Sequence, residues 1–298
     1  MGCLWAARLT QSGAEVTLLL RNKDSARDWD AQGGLSLWED ELRQTIPVAA
    51  RIAGEATAPI RNLLLCTKAQ DTLAALRSVE HLLEGASRIV LLQNGIAAQQ
   101  EVLEAYPQQG IFCLSTSHGA YVIRPFEVVH AGRGEAWLGA ISPAALREEP
   151  SSVLALLPAR SMNIQWDTDI TSRLWQKFAV NCAINALTVI HDCANGELLT
   201  RAAARIELIP LCHEIEGLLR DIPRAPALPP LYPQVTRVLG TTAQNISSTL
   251  QDVRLRRSTE MDYLNGYLSG LAQAAGLPQP LNQALLRRFQ AAVQDRSD

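Results

Sequence analysis

Residues 61–95 read RNLLLCTKAQDTLAALRSVEHLLEGASRIVLLQNG, and their pattern decides the fold of the first half of the chain. Asn62 to Cys66, behind Arg61, is a short apolar run of the kind a strand shows when both its faces are buried. Residues 69–83 predict an amphipathic helix, with Leu73, Leu76 and Val79 about one turn apart. Arg88 to Gln93 predicts a second buried strand, ended by Asn94-Gly95. Working outward, residues 4–12 (LWAARLTQS) predict a helix, and Gly13 suits its end, where a left-handed backbone is needed. Glu15 to Leu20 (EVTLLL) predicts a strand. A helix near 97–105 and a strand at 111–115 follow. Strands alternating with helices imply a parallel, doubly wound sheet. From 119 to 140 the pattern changes to short strands, read as an antiparallel extension.

Near residue 168 the character shifts. Asp169 to Val189 predicts a long apolar helix, and residues 200–221, 231–244, 251–275 and 279–294 also read as helices. Pro-rich breaks at 223–233 and 278–280 separate them. The boundary is placed between Asp167 and Ser172. This gives an α/β domain over 1–168 and an all-α domain over 169–298.

Composition narrows the function classes. A chain of 298 residues with 47% apolar and 19% charged residues can bury the cores of two domains. A net charge of −3 gives no reason to expect nucleic acid or an anionic membrane as partner. No apolar run reaches the roughly 18–20 residues that span a bilayer. The start, MGCLWAARL, is too short and polar-interrupted for a signal peptide, and Ala6 breaks the myristoylation pattern. The cysteines (Cys3, Cys66, Cys113, Cys182, Cys193, Cys212) form no CxxC pair and read as buried thiols in a reducing, cytoplasmic setting. Scattered histidines without HExxH give no metal site. His118 reads as structural.

A dinucleotide fold opens with a strand, a Gly-rich turn and a helix. The turn's glycines permit the bend, the approach of pyrophosphate, and packing of the helix on the strand. Gly2 stands directly before the helix at 4–12, where the third glycine belongs, and residues 15–20 arrive where a second strand should. The expectation is therefore that about nine or ten residues of strand and turn are missing ahead of Gly2. On this reading Met1 falls inside a turn of the form GxGxMG. The other reading is an ordinary opening helix without a nucleotide fold. Arg21 closes strand 15–20, and Asn22 and Lys23 follow it. An acidic residue at that point binds a ribose 2′-hydroxyl, whereas a basic one suits a 2′-phosphate or is simply solvated.

The stretch richest in chemistry is Trp175 to Asn185, WQKFAVNCAIN. Lys177, Asn181 and Asn185 stand at i, i+4 and i+8, which places them on one stripe of a helix. Their neighbours Phe178, Ala179, Val180, Cys182, Ala183 and Ile184 are apolar. Each buried polar group left unpaired would cost roughly 1–3 kcal/mol, so the stripe is either paired within a bundle or lines a wet cleft. A second polar group is Asn245-Ile246-Ser247-Ser248-Thr249 with Gln251 and Asp252, a binding segment or a helix cap. Glu260 is either a surface ion-pair partner or, beside a lysine in a cleft, a group that keeps that lysine protonated.

These residues resemble the ketopantoate reductase family. The resemblance runs through GCLWAARL, LLLCTKAQ, QNGI, LWQKFAVNCAINALTVI, ANGEL and NISSTLQDVRLRRSTEMDYLNGYL, from Gly2 to about Phe289. It implies a Rossmann-type NADPH domain joined to an all-helical domain, with the active site in the cleft between them. The implied reaction is reduction of 2-dehydropantoate to (R)-pantoate, in the route to pantothenate and coenzyme A. Lys177 would be the general acid. Asn94, Asn181, Asn185, Asn195, Asn245, Ser247 and Ser248 would bind the small 2-oxo acid. Gly2, Cys3, Leu4, Lys68, Asn94, Ala120 and Glu260 would neighbour the NADPH/NADP cofactor, with Arg21 at its 2′-phosphate. The chain departs from the family in its glycine turn, represented only by Gly2-Cys3-Leu4. Two alternatives stay open: a paralogous reductase of another branched 2-oxo acid, and a non-catalytic protein on a cofactor fold. Formation of a homodimer is left open as well.

Overall fold

Helix α1 (Gly2–Gln11) presents Leu4, Trp5, Ala6 and Ala7 to the interior and ends at Ser12, with Gly13 at φ +90°. The protein is described by a computed structural model covering residues 1–294 and 296. After α1 come β1 (Thr17–Leu20), α2 (Lys23–Gln32), β2 (Leu35–Glu39), β3 (Leu42–Ile46), β4 (Ala49–Ile52) and β5 (Ile60–Leu65). Next are α3 (Thr72–Arg77), β6 (Leu83–Leu91), α4 (Ala97–Ala105), β7 (Gly110–Thr116), β8 (Gly119–Arg124), β9 (Glu127–Gly132) and β10 (Ala136–Ala140). The α/β part closes with α5 (Pro150–Leu154) and β11 (Ile164–Trp166). Seven helices follow: α6 (Ile170–Ile190), α7 (Glu197–Thr200), α8 (Ala202–Asp221), α9 (Leu231–Thr241), α10 (Ser248–Arg254), α11 (Asn265–Ala274) and α12 (Pro280–Gln294).

Two compact units result. The first contains Met1–Gln93 and Gln99–Ile170, and the second contains Asn94–Ala98 and the chain from Thr171 onward. In the first unit a five-stranded sheet runs β11-β10-β7-β6-β5, with β5, β6 and β7 parallel and β10 antiparallel to β7. This is the parallel sheet that the alternating pattern predicts. A four-stranded sheet, β3-β2-β9-β8, and a parallel pair, β1-β4, complete the unit. Leu4, Trp5, Val90, Phe112, Leu114, Leu138 and Ile164 share its core. Each such side chain contributes about 1.5–3 kcal/mol when removed from water.

Several sequence expectations need correction. The opening strand and turn expected ahead of Gly2 are not shown; Gly2–Gln11 forms α1, and β1 pairs in parallel with β4. Residues 35–52 form three strands that the periodicity did not reveal. The helix expected over 69–83 stops at Arg77, because Leu83 is drawn into the sheet opposite Ile60. The extension over 119–140 divides between two sheets, β8 and β9 lying in one and β10 in the other. The helix expected over 251–275 breaks after Arg254, where Arg256 turns to φ +52° and Arg257 N bonds the Asp252 carbonyl at 2.8 Å.

Unit one also buries charge, and each charge is met. Glu127 accepts from Trp38 Nε1 at 2.7 Å and pairs with Arg124 and Arg43, which brings its carboxyl down to about 2. His118 Nε2 lies 2.9 Å from the Met162 carbonyl, so it carries the proton. His118 Nδ1 then accepts from Gly134 N and from His130 Nε2, both at 3.1 Å. His130 Nδ1 meets Arg8 Nη2 at 2.9 Å, and Glu39 pairs with Arg8 and Arg133. Burial, and after it the charge of Arg8, hold the His130 imidazole below its ordinary value against the opposing pull of Glu39.

An imidazole of lowered pKa in the fold favours the neutral form. The stability it contributes is full above its unfolded value of about 6.5 and is lost as pH falls through that value. Thermal melts should therefore show the melting temperature falling from about pH 7.5 to about pH 5.5, with His130→Asn flattening part of that fall. Equal slopes in the two proteins would show that His130 does not carry the effect.

Candidate functional site

Helix α6 is continuous over Ile170–Ile190, so Lys177, Asn181 and Asn185 do form one stripe. Phe178, Ala179, Val180, Cys182, Ala183 and Ile184 are all buried, which leaves the stripe as the polar line on an apolar rod. Lys177 is half-buried. Burial pushes its ammonium below the ordinary lysine value, while the carboxylate of Glu260 pulls it back up. Glu260 is itself held, because Asn94 Nδ2 donates to its Oε2 at 3.1 Å. Asn94 reaches this place through Gly95, which sits at φ +92° with the Tyr263 carbonyl 2.8 Å from where a β-carbon would stand. Unit two thus gathers Lys177, Glu260 and Asn94 from three distant stretches of sequence.

Farther along the stripe Thr188 is satisfied inside the bundle. Thr188 Oγ1 donates to the Asn185 carbonyl at 2.7 Å and lies 2.6 Å from Ser247 Oγ. Ser247 is the N-cap of α10, accepting from Leu250 N at 3.1 Å. Its proton and its capping lone pair are therefore engaged within the fold, as the capping alternative for this segment anticipates. Ser248, the first residue of α10, is exposed, and so is Asn245. Asn195 N bonds the Asn245 carbonyl at 2.9 Å, and its Nδ2 donates to Thr242 Oγ1 at 2.9 Å. Asn195 is 7% exposed, and its Oδ1 has no hydrogen-bond partner among the described residues. A buried acceptor in that state calls for a donor. Sequence reading missed Thr188 and Thr242. Thr188 continues the Lys177 stripe three residues beyond Asn185 and was legible on that ground.

The remaining candidates lie in unit one. The amides of Gly2, Cys3 and Leu4 precede the first intrahelical bond of α1, Trp5 N to the Met1 carbonyl at 3.1 Å. Three N–H groups at a helix start suit an anion such as a pyrophosphate. A β-carbon on Gly2 would stand 3.4 Å from Cys66 Cβ, so the glycine permits close packing there. Leu4 is wholly buried, which limits its role at a ligand to its backbone. Burial raises the thiol of Cys3, and that of Cys66 to about 12, so both are protonated near neutral pH. Arg21 directly follows β1, and its Nη2 is 2.8 Å from Asp71 Oδ1. The Lys68 carbonyl accepts Asp71 N and Thr72 Oγ1, both at 3.0 Å. Ala120 lies on β8 opposite His130. Surface depressions lined by Trp29, Gly34 and Pro47, and by Trp38, Tyr121 and Ile123, contain none of these residues. Among the described residues, no three His, Cys, Asp or Glu side chains are grouped to hold a metal, and no helix is long and apolar enough to cross a membrane.

Residues 1–143 match the family described as ketopantoate reductase PanE/ApbA, and residues 169–293 match its C-terminal counterpart. The chain belongs to the ketopantoate reductase family. It is accordingly an oxidoreductase. The 2-dehydropantoate 2-reductase of Vibrio cholerae serotype O1 is 30% identical to this family member over 298 residues, covering 100% of the chain and 96% of the relative. Among solved structures, a PanE/ApbA family ketopantoate reductase from Ralstonia eutropha JMP134 superposes with a TM-score of 0.86. It is 24% identical, with 100% of this chain and 96% of that one covered. D-mandelate dehydrogenase, in a ternary structure with NADH and anilino(oxo)acetate, has a TM-score of 0.88 at 20% identity, covering 100% and 97%. These two structures bear on the fold alone.

Two outcomes follow for this reductase-family site. Glu260→Gln removes the charge that supports the Lys177 ammonium, so its titration midpoint should move to lower pH. NMR of labelled lysine Nζ would measure this, and an unmoved midpoint would separate the two groups. Gly95→Ala demands both a left-handed alanine and a displaced Tyr263 carbonyl, and should lower stability by about 1–3 kcal/mol in denaturant melts.

Proposed function

We propose that this family member reduces 2-dehydropantoate to (R)-pantoate with NADPH, in the route to pantothenate and coenzyme A. Lys177 is the general acid. The observation that carries this reading is a half-buried lysine on an apolar helix, opposed by a carboxylate that an asparagine holds in place. Unit one is the nucleotide-binding domain and unit two the substrate and catalytic domain.

The residues of unit one have the chemistry that the cofactor requires. The amides of Gly2, Cys3 and Leu4 offer donors to a pyrophosphate, and Arg21 with Lys23 offers positive charge to a 2′-phosphate. When bound, the reduced nicotinamide supplies a hydride to the keto carbon. As charge grows on the keto oxygen, Lys177 Nζ stabilises it and gives up its proton there. Desolvation makes that ammonium a stronger acid than a solvated lysine, and Glu260 keeps it charged until it is needed. Asn94 holds Glu260 in position. Asn181, Asn185, Asn195, Asn245 and Ser248 bind the carboxylate and hydroxyl of the substrate without adding charge. The unpartnered Oδ1 of Asn195 accepts the hydroxyl proton.

Lys177→Ala should lower kcat by about 10²–10⁴, the usual worth of one general acid, with the melting temperature retained. The assay follows NADPH oxidation on addition of 2-dehydropantoate, beside a panel of other 2-oxo acids. Wild-type turnover in the variant would remove Lys177 from the chemistry. Turnover of a different panel member alone would reassign the substrate.

A further inference from the structure

At the end of β1, Arg21 is not a solitary cation. Its Nη2 lies 2.8 Å from Asp71 Oδ1, and the two side chains are 70% and 37% exposed. Asp71 reaches it from a different stretch of chain, the 3-10 turn Ala69–Asp71 that leads into α3. That turn is fixed by bonds from Asp71 N and Thr72 Oγ1 to the Lys68 carbonyl. Asp71 stands at the N-cap of α3, where a carboxylate commonly accepts from the first-turn amides, yet its side chain makes no capping bond. Of the polar residues that follow Arg21 in the chain, Asn22 caps α2 through Ser25 N, and Asp24 pairs with Arg27. The Asp71 carboxylate is thus turned from its helix toward the guanidinium.

This pairing decides between two kinds of ligand at one place. A 2′-phosphate carries nearly two negative charges and binds a guanidinium through charge-assisted bonds. With Asp71 there it must share Arg21 and tolerate a neighbouring like charge. A ribose 2′-hydroxyl is a donor and gains an acceptor from the same carboxylate. We infer that Asp71 is a specificity-determining residue, which lowers the chain's preference for a 2′-phosphorylated over a 2′-hydroxyl dinucleotide by engaging Arg21. The inference rests on the reading of unit one as a nicotinamide-nucleotide domain.

The test is equilibrium binding, independent of turnover. NADPH, NADH, adenosine 2′,5′-bisphosphate and 5′-AMP are titrated into the full chain and into its Asp71→Asn and Asp71→Ser variants at low salt. Thermal melts identify the variants that keep the wild-type fold. Removing one exposed carboxylate charge should tighten NADPH and the bisphosphate about 3- to 10-fold and leave NADH and 5′-AMP equal or weaker. Added salt should shrink the gain. Folded variants whose NADPH-to-NADH affinity ratio stays at the wild-type value would overturn the role of Asp71 while leaving the cofactor reading intact. A wild-type chain that binds neither dinucleotide would overturn the cofactor reading, and this inference with it.

Discussion

A helix buried around most of its girth has nowhere to send its polar groups except into its neighbours. Helix α6 sets this constraint, and much of unit two is arranged to meet it. Lys177 is answered by Glu260, and Glu260 by Asn94. Thr188 is answered by Ser247, which thereby begins α10. The Cys182 carbonyl receives a further donor from Asn265, the first residue of α11. Asn265 in turn exchanges bonds with Asn282 near the start of α12, where Glu214 of α8 accepts from the Leu281 and Asn282 amides. Each buried polar group left without a partner costs roughly 1–3 kcal/mol, and the starts of α10, α11 and α12 supply partners to this network.

Unit one solves the same problem with charge. Glu127, nearly inaccessible, is met by a tryptophan N–H and two guanidinium groups, while a histidine pair is threaded between the Met162 carbonyl and Arg8. These networks fix the four-stranded sheet against α1. Both ring nitrogens of His118 are engaged within the fold, one as donor and one as acceptor.

The parts of this architecture that could be read from sequence were those governed by periodicity. The α6 stripe was visible because polar residues recur every fourth position in an apolar run, and β5, β6 and β7 because each carries a short apolar run, although only β7 is buried along nearly its whole length while β5 buries just Leu63 and Leu65. What stayed hidden was set by contacts across the chain. The β2–β3 hairpin turns on Asp40-Glu41, both at positive φ, with no glycine to announce it. The β8–β9 turn places Phe126 at φ +60°, an unusual state for a bulky residue, where its ring meets Trp29 edge-on at 5.0 Å. The break at Arg256 likewise lacks a glycine or proline. Among the asparagines and serines, the sequence does not distinguish Ser247, whose hydroxyl caps its own helix, from the exposed Ser248.

The short segment Asn94–Ala98 belongs to unit two although the chain on either side of it belongs to unit one. The two halves of the gene therefore do not correspond to the two halves of the molecule. A protein made from Thr171 onward would carry Lys177 and Glu260 but not the amide that holds Glu260, nor the Gly95 backbone against which Tyr263 rests. No single cut separates unit two intact. Recombination at the apparent boundary would exchange Lys177 and Glu260 and leave behind Asn94, whose amide holds that carboxylate.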